Sequence, residues 1–157
     1  MPRNKEVMVI TTPAVAGQPD IGELHDVVGF HIRLAHGAVY RHFCETFSTL
    51  GLTQKQVTAL WLVDDHPSLA QTDLAQLMRI DRATTMAIVN HLEARGFLQR
   101  GKSPTDARKQ TLNLTVPGRR ALKKAKVAIY KHESWLKSRF TADEVRLLVQ
   151  MLARIHE

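Results

Sequence analysis

The 157-residue sequence is poor in several things, and each shortage excludes something. It has one cysteine, Cys44, so no disulfide framework holds the fold, and the usage fits a reducing compartment. No apolar run approaches the ~18 residues that cross a bilayer, so no membrane span is expected. Residues 1–10 contain Arg3 and Lys5 but no apolar stretch of signal-peptide length, and a cytoplasmic location is the expectation. Catalytic signatures are missing too: there is no glycine-rich phosphate loop, no Gly-x-Ser-x-Gly and no His-Glu-x-x-His. Glu23 and Asp26 read as helix-surface acids and Asp64-Asp65 as a helix end, so no catalytic residue, no cofactor and no enzyme is expected. Acidic residues are also short: 15 stand against 22 lysines and arginines, leaving a formal charge of +7.

What is present is an ordinary folding composition, 44% hydrophobic and 24% charged. The positive charge is uneven. Residues 116–140 hold eight basic side chains and one acid, Glu133; residues 68–115 hold seven basic and four acidic. A basic protein of this kind should meet a polyanion, with nucleic acid the first candidate. The run Lys123, Lys124, Lys126, Lys131 and Lys137 serves equally well as a solvated helix face.

Residues 1–20 carry Pro2, Pro13, Gly17 and Pro19 without periodicity and read as a flexible arm. Apolar positions then recur at helical spacing from Ile21 to about Leu50, and Gly51 stops that helix. Thr53 to Gln56 forms a capping box for a second helix that ends before Pro67. Ser68 to Gln71 reads as another box opening a third helix. Asp81 reads as the cap of a fourth, running to Arg95 and stopped by Gly96. The period then changes. Phe97–Arg100 and Thr111–Leu114 alternate, with a polar, turn-rich, basic stretch between them, which predicts a β-hairpin. Thr115, with Pro117 behind it, opens a fifth helix to about Phe140, and Thr141–Glu144 boxes a sixth.

Two short helices followed by a basic hairpin predict a mainly α fold with a small hairpin wing, that is, a winged helix-turn-helix. A B-DNA major groove, about 12 Å wide, admits one helix. The fourth helix would hold to its own domain through Ala83, Ile88, Val89 and Leu92. It would present Arg82, Thr84, Asn90 and His91 outward, with its N-terminus favouring phosphate. Ser68 and Gln71 are candidate backbone contacts at the third helix.

At these residues the chain resembles the MarR family of bacterial transcription regulators. The resemblance is carried by Leu74-Ala75, Asp81-Arg82-Ala83-Thr84, Leu92 to Phe97, Asp106-Ala107-Arg108-Lys109, and Leu112-Asn113-Leu114-Thr115 with Gly118. It covers about residues 21–157. It implies a homodimer on a palindromic operator, with residues 21–50 and 116–157 forming the dimerisation helices and 53–115 the winged lobe. It implies that Asp106 orients the wing, that Arg108 enters the minor groove and that Lys109 joins it on the DNA. Met86 and Ala87 stand where the family often has Ser or Thr and then Arg; both can touch a thymine methyl, neither can make a bidentate base contact.

The resemblance also implies a small effector, often an aromatic or phenolic acid or its thioester, bound between the dimer region and the lobe. His31, His36, Trp61 and Tyr130 are the candidate contacts, with half-buried structural histidines and a core tryptophan as the plainer reading. The expected function is a repressor released by that effector. An architectural or constitutive DNA-binding protein, a metal- or redox-sensing regulator, and a protein–protein module are the alternatives. For metal, His42-x-Cys44 offers acceptable donors, but the histidines are not spaced at i, i+4, and no metal site is expected. Cys44 itself reads as a buried structural thiol.

Overall fold

A computed structural model describes residues 20–102 and 110–156. The arm before Asp20 and the wing-tip residues Asp106, Arg108 and Lys109 lie outside the described residues. The chain divides into two units, residues 1–41 and 42–157.

In the first unit the described chain opens with a 3-10 turn, Gly22–Asp26, and enters α1, Val28–Phe47, which continues into the second unit. The expected single helix from Ile21 is therefore interrupted. Gly22 sits at φ +56° with its amide donating to Asp20 Oδ1 at 2.8 Å, and Val27 is extended.

The second unit holds α2 (Gln54–Asp65), α3 (Gln71–Met78), α4 (Arg82–Ala94), α5 (Val116–Lys137) and α6 (Ala142–His156). Three antiparallel strands, β1 (Leu69–Ala70), β2 (Leu98–Lys102) and β3 (Gln110–Leu114), lie in the order β1-β3-β2. The register pairs Leu98 with Leu114 and Leu69 with Leu112. These leucines join Phe43, Phe47, Val57, Leu60, Leu74, Val89, Leu92 and Leu122 in one core. Full burial of such a side chain contributes roughly 1.5–3 kcal/mol.

Local chemistry sets most boundaries. Thr53 and Gln56 bond reciprocally at the start of α2, and Thr141 and Glu144 do the same at α6. The Thr141 amide, then its hydroxyl, hold the exposed Glu144 carboxyl below its usual value. Thr115 accepts from the Gly118 amide at α5, which ends at Lys137 rather than Phe140. Gly96 takes φ +69° after α4 and lets Phe97 N donate back to Leu92 O at 2.9 Å. One expected cap is wrong. Ser68 does not open α3: it sits at φ +62°, Leu69–Ala70 pair with β3, and α3 starts at Gln71 with Ala70 as an N-cap that makes no side-chain bond.

Candidate nucleic-acid interface and effector cleft

The turn from α3 to α4 is tight. Arg79 adopts the left-handed conformation, and its amide and that of Ile80 return to carbonyls of α3. Asp81 then caps α4, accepting from the Thr84 amide at 2.8 Å and the Thr84 hydroxyl at 2.6 Å. The hydroxyl foremost, and the amide after it, hold the Asp81 carboxyl below its usual value. An ionised Asp81 thus occupies the start of this helix, where the sequence suggested room for phosphate.

One side of α4 is inward: Thr85, Ile88, Val89 and Leu92 are buried. Thr85, not Ala83, completes that side, its hydroxyl donating to Asp81 O at 3.0 Å, while Ala83 is exposed. The opposite arc presents Arg82, Met86, Ala87, Asn90 and His91 to solvent. These positions, four apart in two rows, are what a helix in a groove would show. Thr84 is half-buried, its hydroxyl already given to Asp81. Arg82 makes no hydrogen bond or ion pair with the described residues. Ser68 is exposed in the turn before β1.

A residue not anticipated from the sequence links this arc to the sheet. Arg100, on β2, is ion-paired with Glu93, donates to Asn90 Oδ1 at 2.6 Å and lies 3.5 Å from Gln71 Oε1. It thus connects α3, α4 and β2. Its position two residues after buried Leu98 places it on the inner side of the strand, and that was the available signal.

Between α2 and α5 lies a cleft of about 390 Å³, lined by Asp64, Arg119, Leu122, Lys123, Lys126, Val127 and Tyr130. Trp61 meets Tyr130 edge to face at 6.4 Å, and Lys126 Nζ sits 4.7 Å over the Trp61 ring and 3.2 Å from Asp64 Oδ2. Two of the four expected effector contacts, Trp61 and Tyr130, are therefore brought together beside a cationic rim. The other two belong to residues 20–41, where His31 Nε2 bonds the His25 carbonyl at 2.8 Å and His36 stacks on Tyr40.

The histidine built into the second unit is a different one. His132, 5% exposed, lies on the α5 stripe of Leu122, Ala125 and Ile129. Its Nδ1 is 2.7 Å from His42 Nδ1, and His42 stacks on Trp135 at 3.9 Å. One ring must donate and the other accept, so the pair holds one proton at that contact. Burial, then the neighbouring His42, push the His132 pKa down, against a smaller opposing pull from Glu133. His132 is thus neutral in the fold and protonates more readily when unfolded. Its stabilising contribution is present above the unfolded value near 6.5 and is lost as pH falls below it, at up to about 1.4 kcal/mol per pH unit for one proton. The thermal midpoint should fall from pH 7 to pH 5, and His132→Leu should flatten that profile; an unchanged profile in the variant would contradict the assignment. Cys44 is exposed rather than buried. Phe43 and Phe47 point inward, and a residue about 100° round the helix from Phe43 does not. Among the described residues, no group of three His, Cys, Asp or Glu is placed to hold a metal.

A family model described as MarR family matches residues 50–109. The putative transcriptional regulatory protein for the hcr operon of Thauera aromatica is 30% identical over 156 residues, 99% of this chain and 89% of that protein. The chain belongs to the MarR family. Among solved structures, the transcriptional repressor CouR bound to a 23-mer DNA duplex is 33% identical, with a TM-score of 0.82 over 89% of this chain and 99% of that one. The same-named repressor bound to p-coumaroyl-CoA is 31% identical, with a TM-score of 0.78 over the same shares. The mainly helical winged-helix fold expected from the sequence is borne out, as is the family. No helix among the described residues is long and apolar enough to cross a membrane.

Proposed function

We propose that this MarR-family regulator is a homodimeric repressor, not an enzyme, that grips a palindromic duplex and releases it when an aromatic acid, or the coenzyme A thioester of one, enters the α2–α5 cleft. The observation that carries the proposal is the exposed arc of α4, with Arg82 at its start and Met86, Ala87, Asn90 and His91 along it. Arg82 supplies a cation for a guanine edge or a phosphate, and Met86 and Ala87 supply apolar contact for a thymine methyl. Thr84 keeps only its acceptor side for DNA. Ser68 and Gln71 contact the backbone, and the wing residues Arg108 and Lys109, oriented by Asp106, reach the adjacent minor groove. Residues 53–115 form the DNA-binding lobe, and residues 21–50 and 116–157 pair the subunits. Two lobes in successive grooves then sit about 34–36 Å apart.

The effector reading rests on the cleft's chemistry. Leu122, Val127 and Tyr130 offer an apolar wall for an aromatic ring, Trp61 backs Tyr130, and Arg119, Lys123 and Lys126 offer charge for a carboxylate or for coenzyme A phosphates. The solved repressor whose ligand is a coenzyme A thioester of an aromatic acid is among the similar chains, and that supports the thioester. A ligand that prefers dimers with misplaced recognition helices weakens DNA binding by that same preference.

The test is operator binding on a palindromic and a scrambled duplex, titrated with p-coumaroyl-CoA and with the free acid. A regulator should prefer its operator by roughly 10³-fold or more at one salt concentration. The thioester should lower operator affinity at least about fivefold, the low end of a coupling of 1–3 kcal/mol. Arg119→Ala with Lys123→Ala should blunt that response while leaving unliganded operator affinity in place. An equal grip on both duplexes would favour an architectural protein. If no aromatic acid or thioester either releases the operator or raises the thermal midpoint, the effector reading falls.

A further inference from the structure

Arg100 is basic, stands on the wing's first strand and lies beside the recognition helix, so a phosphate contact is its obvious use. The geometry points elsewhere: we propose that Arg100 is a positioning residue that fixes the Asn90 amide with its NH₂ group outward and clamps α4 to β2, and so sets operator specificity without itself touching DNA. The inference rests on the DNA-binding reading above.

Three observations carry it. The guanidinium is already engaged, ion-paired with Glu93, which stands three residues after Asn90 on the same helix. A second nitrogen donates to Asn90 Oδ1 at 2.6 Å and lies 3.5 Å from Gln71 Oε1. The Arg100 side chain is only 25% exposed, so little of it is left for solvent or phosphate.

The chemistry then settles which way the amide points. A guanidinium has five donors and no acceptor, so the amide facing it must present oxygen. The Asn90 nitrogen is directed away, on an exposed residue of the recognition arc. The usual pairing of asparagine with adenine uses the amide oxygen to accept from N6 and the nitrogen to donate to N7. Here Arg100 takes one lone pair of the oxygen and turns it towards the sheet, so the outward NH₂ is the group presented to a base, as a donor to a purine N7, guanine O6 or thymine O4. Arg100 also joins three separate elements, so its loss would free the recognition helix to shift against the wing.

The experiment compares the full-length wild type with Arg100→Met and Arg100→Lys. Each is measured for operator affinity, scrambled-duplex affinity and the salt dependence of both, with thermal midpoints alongside. Lysine keeps the charge but cannot fork to several acceptors. Both variants should lose about tenfold or more in operator affinity, within the range of one specific base contact, with scrambled affinity and salt slope unchanged. If Arg100 instead contacts phosphate, Arg100→Met lowers both affinities together, the slope falls by about 0.9, and lysine restores both; that result overturns the proposal.

A second readout needs no DNA. The side-chain amide resonance of Asn90, assigned through Asn90→Asp, should move in Arg100→Lys; a resonance that stays put also overturns the proposal. Should Arg100→Met fail to fold, the lysine variant carries both arms. Should the wild type bind no duplex, the DNA-binding reading falls while the amide measurement still decides whether the clamp exists.

Discussion

Gly118→Ala should lower the thermal midpoint by roughly 5–10 °C, the consequence of about 2–3 kcal/mol of overpacking in a chain of this length. The direction is opposite to what helix propensity alone gives, since alanine in a helix is favoured over glycine by about 1 kcal/mol. The contacts decide the sign. A Cβ on Gly118 would stand 2.8 Å from the Phe97 carbonyl carbon and 3.1 Å from its Cα, with the carbonyl oxygen nearer still. Those are backbone atoms, and they are held. Phe97 N donates to Leu92 O at 2.9 Å, and Phe97 O accepts from Thr115 N at 3.1 Å. The Thr115 hydroxyl donates to Gly96 O at 2.6 Å and accepts from the Gly118 amide at 3.0 Å. The end of α4, the start of β2 and the start of α5 therefore meet at a point where neither side can withdraw. Thermal unfolding at matched protein concentration measures the effect, and an unchanged or raised midpoint would contradict the packing argument.

That junction illustrates how much the sequence makes legible. Gly118 is visible in the sequence as part of a family motif, but its cause, a carbonyl seated where a Cβ would go, is a contact across 21 residues. Caps are the reverse case. Thr53 with Gln56, Asp81 with Thr84, and Thr141 with Glu144 act over three residues, so composition and spacing suffice. Ser68 with Gln71 has the same spacing and fails, because β3 offers Leu69 and Ala70 a ladder that no local rule foresees. On α4, preferring apolar identity to spacing puts Ala83 inside; spacing from Ile88, Val89 and Leu92 points to Thr85, which is the buried one. His132 was readable as the next step of the Leu122, Ala125, Ile129 stripe. Its partner on α1 was not, since a histidine pair 90 residues apart leaves no mark on either segment. Arg100 belongs to that second group: polar contacts between elements depend on side-chain reach and not on periodicity.

Charging the C-terminal helix should cost the most in function. Val149→Glu combined with Leu152→Glu should yield a monomer whose operator affinity is lower by about 10²–10⁴-fold, the usual gain from tethering two binding modules. No residue of α6 is buried, and Leu147, Val149, Met151, Leu152 and Ile155 are 43–65% exposed. Val145, Leu148, Val149, Leu152 and Ile155 follow helical spacing and make one stripe, while Leu147 and Met151 add a second arc. Residues 20–41 show the same excess, with Leu24, Val27, Val28, Ile32 and Leu34 all at least 40% exposed. So much apolar surface left uncovered on one chain needs a cover, and a second copy is the cover the family resemblance implies. Because these side chains lie outside the core of the second unit, the double substitution should leave the lobe folded, so circular dichroism should change little while sedimentation reports half the mass. A folded monomer that bound its operator with wild-type affinity would show that recognition does not need two linked lobes. A dimer that persisted would place the subunit contact elsewhere than α6.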